Sequence, residues 1–212
     1  MSREDNDIRY VRNEGGPTLG YSAKSGAGIL YIDGLAFKDL NKDGQLNKYE
    51  DWRLSPEERA QDLAAQMFIE QIAGLMLYSS HQAIPGSLGW KPATYGGQAF
   101  GESGAKPYEL SDQQRIFLSE DHIRHVLVTK VESPTTAARW NNVLQAYTES
   151  LSLGIPANNS SDPRHALDAS TEFNAGVGGT ISIWPEALGL AATFDPEWPA
   201  SSGKSLRRNI AL

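Results

Sequence analysis

The hydrophobic positions of this chain fall into two kinds of run, and the first is helical. From residue 55 to about residue 77 the apolar side chains recur with a period close to 3.6, which predicts an amphipathic helix. Ser55, Pro56 and Glu58 form a helix start, with Ser55 as the N-cap and Glu58 placed as in a capping box. Gly74 is the weak point of this predicted helix.

The second kind of run alternates between strand and helix. Residues 123–128 are apolar and β-branched, which is typical of a strand, and residues 133–151 predict a helix that Gly154 follows as a stop signal. Residues 155–161 predict a second strand, and another helix is predicted from residue 185 to about residue 192. This order indicates the beginning of an α/β fold.

The remaining stretches predict little regular structure. The first 28 residues are polar and contain several glycines, so we expect an irregular arm, followed by a short strand at residues 29–32. Residues 79–108 are rich in Gly and Pro and predict a long loop, a kind of segment that is usually functional or mobile. Residues 110–120 predict a short helix.

Composition narrows the class of protein. The 212 residues are 40% hydrophobic and 21% charged, close to the soluble globular average. A net charge of -7 argues against nucleic acid as a partner, because phosphates require clustered Lys and Arg. The chain has no cysteine, which excludes disulfides and thiolate metal sites. We expect no membrane span and no signal peptide, and the compartment stays unpredicted.

One segment matches a metal-binding pattern. Residues 39–50 have the spacing of an EF-hand calcium loop, with oxygen-bearing side chains where ligands are needed and Gly44 at the sharp turn. The predicted ligands are Asp39, Asn41, Asp43, Gln45 through its backbone carbonyl, Asn47 and Glu50. The alternative is a surface turn rich in Asn and Asp. Because residues 31–37 look extended and the loop is single, a bound Ca²⁺ would be structural rather than a switch.

A second polar group follows the predicted strand at residues 155–161. Asp162, Arg164 and His165 stand where α/β barrels place their sites, at the carboxyl end of a strand. A carboxylate there can accept sugar hydroxyls, and Arg or His can donate to others. The alternative is a helix cap or a solvated ion pair. The tryptophans that could stack on a sugar, or simply pack in the core, are Trp140, Trp184 and Trp198.

Four segments together carry a family resemblance. They are residues 37–54 followed by Pro56-Glu57-Glu58-Arg59, then Ala138-Arg139-Trp140-Asn141-Asn142-Val143-Leu144-Gln145, then Gly154-Ile155-Pro156 leading to Ser161-Asp162-Pro163-Arg164-His165, and finally Trp184-Pro185-Glu186-Ala187-Leu188-Gly189-Leu190-Ala191-Ala192-Thr193-Phe194-Asp195-Pro196. In this order they resemble family 3 glycoside hydrolases of the β-glucosidase type. The resemblance implies a (β/α)₈ TIM-like barrel that acts on β-linked glucosides, with Asp162 holding hydroxyls of the non-reducing-end sugar.

The resemblance also implies what this chain lacks. The family retains configuration with an aspartate nucleophile and a separate acid/base carboxylate, and neither the Ser-Asp-Trp-type nucleophile motif nor the family's downstream Lys-His pair occurs here. The ending after Trp198 departs from the family pattern, and our hypothesis for it is a frameshift followed by an early stop. A barrel of this type needs about 250 residues, so an incomplete one is expected to associate or aggregate.

The sequence therefore predicts three segments and one leading function. Residues 1–54 form an arm with an EF-hand-like loop, residues 55–198 the first part of a barrel, and residues 199–212 an atypical tail. The leading function is a β-glucosidase-type hydrolase that is inactive alone because it stops before its catalytic carboxylates. The alternative is a calcium-binding or sugar-binding module without catalysis.

Overall fold

A computed structural model of the chain describes residues 8–81, 93–128, 134–161 and 187–198, together with residues 200, 201 and 204. The fold is mixed α/β, and its described strands form three two-stranded sheets and one three-stranded sheet, with no barrel among them. The chain divides into two compact units. The first comprises residues 1–78, 114–125 and 142–158, and the second comprises residues 79–113, 126–141 and 159–212.

The first unit opens with two antiparallel hairpins. Strand β1 (Ile8–Arg12) pairs with β2 (Thr18–Ser22), and β3 (Gly28–Ile32) pairs with β4 (Leu35–Asp39). The expectation of an irregular arm was therefore wrong for the first hairpin. The side-chain amide nitrogen of Asn13 stabilises the turn of this hairpin. It donates to the carbonyl of Pro17 close by and to that of Ala36 in β4, both at 3.1 Å. The strand predicted at residues 29–32 is confirmed.

The helix predicted from residue 55 to residue 77 is two helices, α1 (Pro56–Gln66) and α2 (Ile69–Leu75). The predicted capping box is present, because Ser55 accepts from the Glu58 amide and the Glu58 carboxylate accepts from the Ser55 amide. The break lies at Met67 and Phe68, whose backbones are both extended. The Gln71 side chain accepts the Phe68 amide at 3.0 Å, which starts the second helix.

The long loop predicted at residues 79–108 was wrong in part, because short strands and one short helix form within it, whereas the later elements follow the predicted order. They are β5 (Tyr78–His81), β6 (Thr94–Tyr95), β7 (Gln98–Ala99), α3 (Phe100–Ser103), α4 (Asp112–Ser119), β8 (His125–Val128), α5 (Pro134–Ser150), β9 (Asn158–Ser161) and α6 (Ala187–Ala191). The strand order of the three-stranded sheet is β5-β8-β9. The α/β beginning of strand, helix and strand is thus confirmed. No described helix has the length and apolar character needed to span a bilayer.

Each unit has its own buried apolar residues. In the first unit, Phe37, Leu118 and Leu144 are completely buried, and Trp52 stacks on Phe37 with the ring centroids 5.4 Å apart. In the second unit, Val126 and Trp140 are buried. Burying such side chains is the main favourable contribution to folding, at about 1.5–3 kcal/mol each.

A buried cation holds together the backbone around β8. The Arg124 guanidinium donates to the carbonyls of Leu118 at 2.7 Å, Ile123 at 2.9 Å and Ile155 at 3.0 Å. These carbonyls belong to the last turn of α4, the approach to β8 and the approach to β9. Burial lowers the pKa of Arg124 to about 10, and the nearby Tyr147 partly opposes this effect. These three hydrogen bonds offset the free-energy cost of removing the charged guanidinium from water.

Candidate functional site

The 39–50 loop connects β4 to the start of α1, so a strand rather than a helix precedes it. This agrees with the extended residues predicted before the loop. Asp39 is the last residue of β4 and is 7% exposed, and Glu50 near the loop's end is 4% exposed. Carboxylates are seldom buried this deeply unless hydrogen bonds or cations compensate their charge.

The two buried carboxylates are satisfied by the loop's own backbone. Asp39 accepts the amides of Asp43 at 3.1 Å and Gly44 at 3.0 Å. Glu50 accepts the amide of Leu40 at 2.6 Å, and also those of the two asparagines, Asn41 at 3.2 Å and Asn47 at 3.0 Å. Both carboxylates therefore face the interior of the loop. Gly44 has a positive φ of 76°, which explains the requirement for glycine there.

Asp43 lies at the exposed side of the loop, where its carboxylate accepts hydrogen bonds from one backbone amide and two side-chain amides. Its carboxylate accepts the Gln45 amide at 2.8 Å and the side-chain amides of Asn41 at 3.1 Å and Asn47 at 2.9 Å. The hydrogen bond from the Asn47 side chain, followed by the one from the Gln45 backbone, lowers the pKa of Asp43. Asp43 is therefore held in its anionic form.

The donor set of the loop suits a hard cation, but its carboxylates do not form a metal-ligand cluster in this structure. Within the described ranges, no group of three or more His, Cys, Asp and Glu residues is placed to hold an ion. Amide hydrogens occupy the oxygens of Asp39, Asp43 and Glu50. In the same part of the chain, neither Asp39 nor Glu50 forms an ion pair with Lys or Arg. Their negative charge is met mainly by amide dipoles, with Lys42 near enough to Asp39 to interact with it electrostatically without forming an ion pair.

The loop is fastened to the end of α5 by two side chains that the sequence reading did not single out. The Lys42 ammonium donates to the carbonyls of Leu40 at 3.0 Å, Glu149 at 3.1 Å and Leu151 at 2.9 Å. The Tyr49 hydroxyl donates to the Leu153 carbonyl at 3.3 Å. The last carbonyls of a helix lack internal partners, so Lys42 acts as a cationic cap for α5.

The residues predicted to contact a sugar, Asp162, Arg164 and His165, lie outside the described residues, as does Trp184. Strand β9 leads directly to them. On this strand the Asn159 side chain donates to the Asn141 side chain of α5. Trp140 is 1% exposed, which agrees with core packing, whereas Trp198 is 49% exposed.

Two buried polar atoms, one on α5 and one on β9, have no hydrogen-bond partner within the described part of the chain. They are the indole nitrogen of Trp140 and the side-chain oxygen of Asn159. One is a donor and the other an acceptor. An unpaired buried polar group costs about 1–3 kcal/mol, so such atoms usually mark a place where further polar groups belong.

Comparison with known proteins places the chain among relatives of β-glucosidases, although no protein-family profile matches it. The chain is 37% identical over 174 residues to the periplasmic beta-glucosidase/beta-xylosidase of Dickeya chrysanthemi, covering 81% of this chain and 24% of the relative. It is 31% identical over 158 residues to the probable beta-glucosidase C of Aspergillus flavus, covering 73% of this chain and 22% of the relative. Beta-glucosidase C of Emericella nidulans is 30% identical over 171 residues, which are 77% of this chain and 24% of the relative.

These comparisons establish homology to β-glucosidases over roughly three quarters of the chain. The chain spans about a quarter of the length of the curated relatives it matches.

Proposed function

We propose that this chain is the first part of the catalytic barrel of a family 3 glycoside hydrolase that acts on β-linked glucosides. The similarity to the Dickeya chrysanthemi relative, 37% identity over 174 residues, is the observation that carries the proposal. The succession of β8, α5 and β9 supports it, because a strand, a crossover helix and a neighbouring strand of one sheet are the repeating unit of such a barrel.

In the proposed site, Asp162 accepts hydroxyls of the non-reducing-end sugar, and Arg164 and His165, which follow it closely in the sequence, are the further candidate sugar contacts. Retaining hydrolysis requires two carboxyl groups about 5–5.5 Å apart, one as nucleophile and one as acid/base. The motif that carries the family's nucleophile is missing from this sequence. The function proposed for the chain by itself is therefore sugar binding, with hydrolysis belonging to the whole enzyme.

We expect the purified chain to release no p-nitrophenol above buffer from the β-glucoside or the β-xyloside, because the motif that carries the family's nucleophile does not occur in it. The same preparation is expected to bind glucose, followed as a change in tryptophan fluorescence. Asp162→Ala should weaken this binding, because it removes the carboxylate that accepts sugar hydroxyls. Turnover that is retained through repeated purification and is lost on a single carboxylate substitution would contradict the proposed division between binding and catalysis.

We further propose that the 39–50 loop binds one structural Ca²⁺ through Asp39, Asn41, Asp43, the Gln45 carbonyl, Asn47 and Glu50. The supporting observation is the burial of two carboxylates, Asp39 and Glu50, without a cationic side chain paired to either of them in the described residues. Oxygen ligands of this kind are those Ca²⁺ prefers. On binding, the side chains would exchange backbone amides for the ion.

Calcium is expected to raise the melting temperature relative to EDTA. At a free concentration about one hundred times the Kd, the gain in unfolding free energy is about 2.7 kcal/mol. Terbium in place of calcium should luminesce on excitation of Tyr49, which is next to the ligand Glu50. The difference in melting temperature between calcium and EDTA should vanish in Glu50→Gln. It should be kept in Glu57→Gln, which changes an exposed glutamate of α1. Identical melting with and without calcium, and no terbium signal, would remove the loop from consideration as a metal site.

A further inference from the structure

A pocket lies between the first hairpin and helix α5, and nothing described above uses it. Its volume is about 290 Å³ and all of its lining residues belong to the first unit. Strands β1 and β2 contribute Tyr10 and Tyr21, β4 contributes Lys38, and α5 contributes Asn142 and Glu149. The pocket is distinct from the carboxylates of the 39–50 loop and from the carboxyl end of β9.

One wall of the pocket presents an aromatic ring to solvent. Tyr10 is 73% exposed and stands opposite Gly20 in the hairpin. A Cβ atom on Gly20 would lie 3.3 Å from the Tyr10 ring, so glycine lets the ring approach the β2 backbone. The ring is thereby supported on one side while most of its surface stays open. Because a Tyr side chain is apolar on its ring face and polar at its hydroxyl, a ring held in this way can contact the apolar face of a ligand and a polar group together.

The floor of the pocket is polar but electrically balanced. The Lys38 ammonium and the Glu149 carboxylate form an ion pair at 2.6 Å, and Glu149 also accepts the Ser22 amide at 3.0 Å. A carboxylate has about four acceptor positions and an ammonium has three donors, so both groups retain capacity for further hydrogen bonds. The exposed side-chain amide of Asn142 adds another donor and acceptor. Because the two charges cancel, the floor favours a neutral ligand rather than an ion.

We propose that this pocket is a second carbohydrate-binding site that takes one or two neutral pyranose rings. A pyranose has an apolar face of C–H groups, which suits the Tyr10 ring, and a rim of hydroxyls, which suits the Lys38–Glu149 pair and Asn142. The volume lies at the lower end of the range of about 300–1,000 Å³ for small-ligand sites, which fits a mono- or disaccharide. None of the residues assigned to the sugar contact at Asp162 or to the calcium ligands lines this pocket, although Leu40 of the 39–50 loop does.

The test is a cellobiose titration of the full chain. Binding is monitored by saturation-transfer NMR and by the chemical shifts of the backbone amides of Gly20 and Ser22, two residues that line the pocket. Tyr10→Ala removes the aromatic wall. Tyr31→Ala is the matched control, since Tyr31 is 70% exposed on the neighbouring hairpin and does not line the pocket. Asp162→Ala removes the sugar contact of the proposed function. Thermal melting verifies that each variant is folded.

In Tyr10→Ala we expect the Kd reported by Gly20 and Ser22 to rise roughly tenfold, which corresponds to the loss of a stacking partner worth about 1.4 kcal/mol. Tyr31→Ala and Asp162→Ala should leave that Kd unchanged. Equal effects of Tyr10→Ala and Tyr31→Ala, or no shift of either amide at saturating cellobiose, would overturn the pocket proposal. Binding lost in Asp162→Ala but kept in Tyr10→Ala would also overturn it while supporting the proposed function.

Discussion

Gly74→Ala is expected to destabilise the chain by at least about 2 kcal/mol, the usual scale for overpacking a tight interior contact. In an ordinary helix interior the same change would stabilise by up to about 1 kcal/mol. Here a Cβ on Gly74 would lie 2.7 Å from the carbonyl carbon and the Cβ of His122, and would also collide with the Asp121 carbonyl oxygen. These are mainly backbone atoms, which cannot rotate away as the end of a side chain can.

Urea denaturation measures this effect through the midpoint of the transition at constant slope. Gly101→Ala is the matched control, because Gly101 lies in helix α3 and an added Cβ there has no atom within 4 Å. The control should be as stable as the parent chain or slightly more stable. A Gly74→Ala variant that equals or exceeds the parent in stability would mean that α2 does not approach the 121–122 segment as closely as the structure shows.

Glu149→Ala is the second substitution with a large expected effect, at about 3 kcal/mol of lost stability. Removing one partner of a buried ion pair typically costs about 3–5 kcal/mol, and the lower end applies because Lys38 is 25% exposed. The change also leaves the Ser22 amide without its acceptor. The structural reason is that Glu149 connects the end of α5 to both hairpins, across 127 residues to Ser22 and 111 to Lys38.

A double-mutant cycle isolates the pairwise contribution. Glu149→Ala, Lys38→Met and the double variant are compared by thermal melting and urea denaturation, with the exposed Glu70→Ala as a control expected to change little. If the pair is formed, the double variant should be more stable than the sum of the two single effects implies. Simple additivity of the single variants would show that Lys38 and Glu149 do not interact.

The sequence predicted those parts of the structure whose causes are local. The capping box of Ser55 and Glu58 involves residues three positions apart, and the structure confirms both of its hydrogen bonds. The need for a positive φ at Gly44 is a property of a single residue in a tight loop. The strand, helix and strand of β8, α5 and β9 follow from the periodicity of apolar residues, which reflects the local geometry of each element.

The sequence predicted some residues of the candidate site but not the contacts that they make. Gln45 and the side-chain oxygens of the 39–50 loop were chosen by spacing, yet spacing does not reveal that amide hydrogens satisfy Asp39 and Glu50 in the folded loop. The roles of Asp162, Arg164 and His165 came from family resemblance and stay predictions. The Tyr10 pocket carries no sequence signal, because its residues come from two hairpins, helix α5 and the segments that follow β4 and α5.

By itself, the sequence determined the α/β character of the chain, the start of helix α1, the turn at Gly44 and the kinship with β-glucosidases. Only the tertiary structure decided the close approach at Gly74 and the attachment of Glu149 to Ser22 and Lys38, whereas the break at Met67 and Phe68 and the first hairpin are local features that the pattern of apolar residues did not reveal. The physical reason is the separation along the chain of the groups that interact. Caps and periodicity act over a few residues, whereas buried ion pairs and close backbone contacts form between groups that only folding brings together.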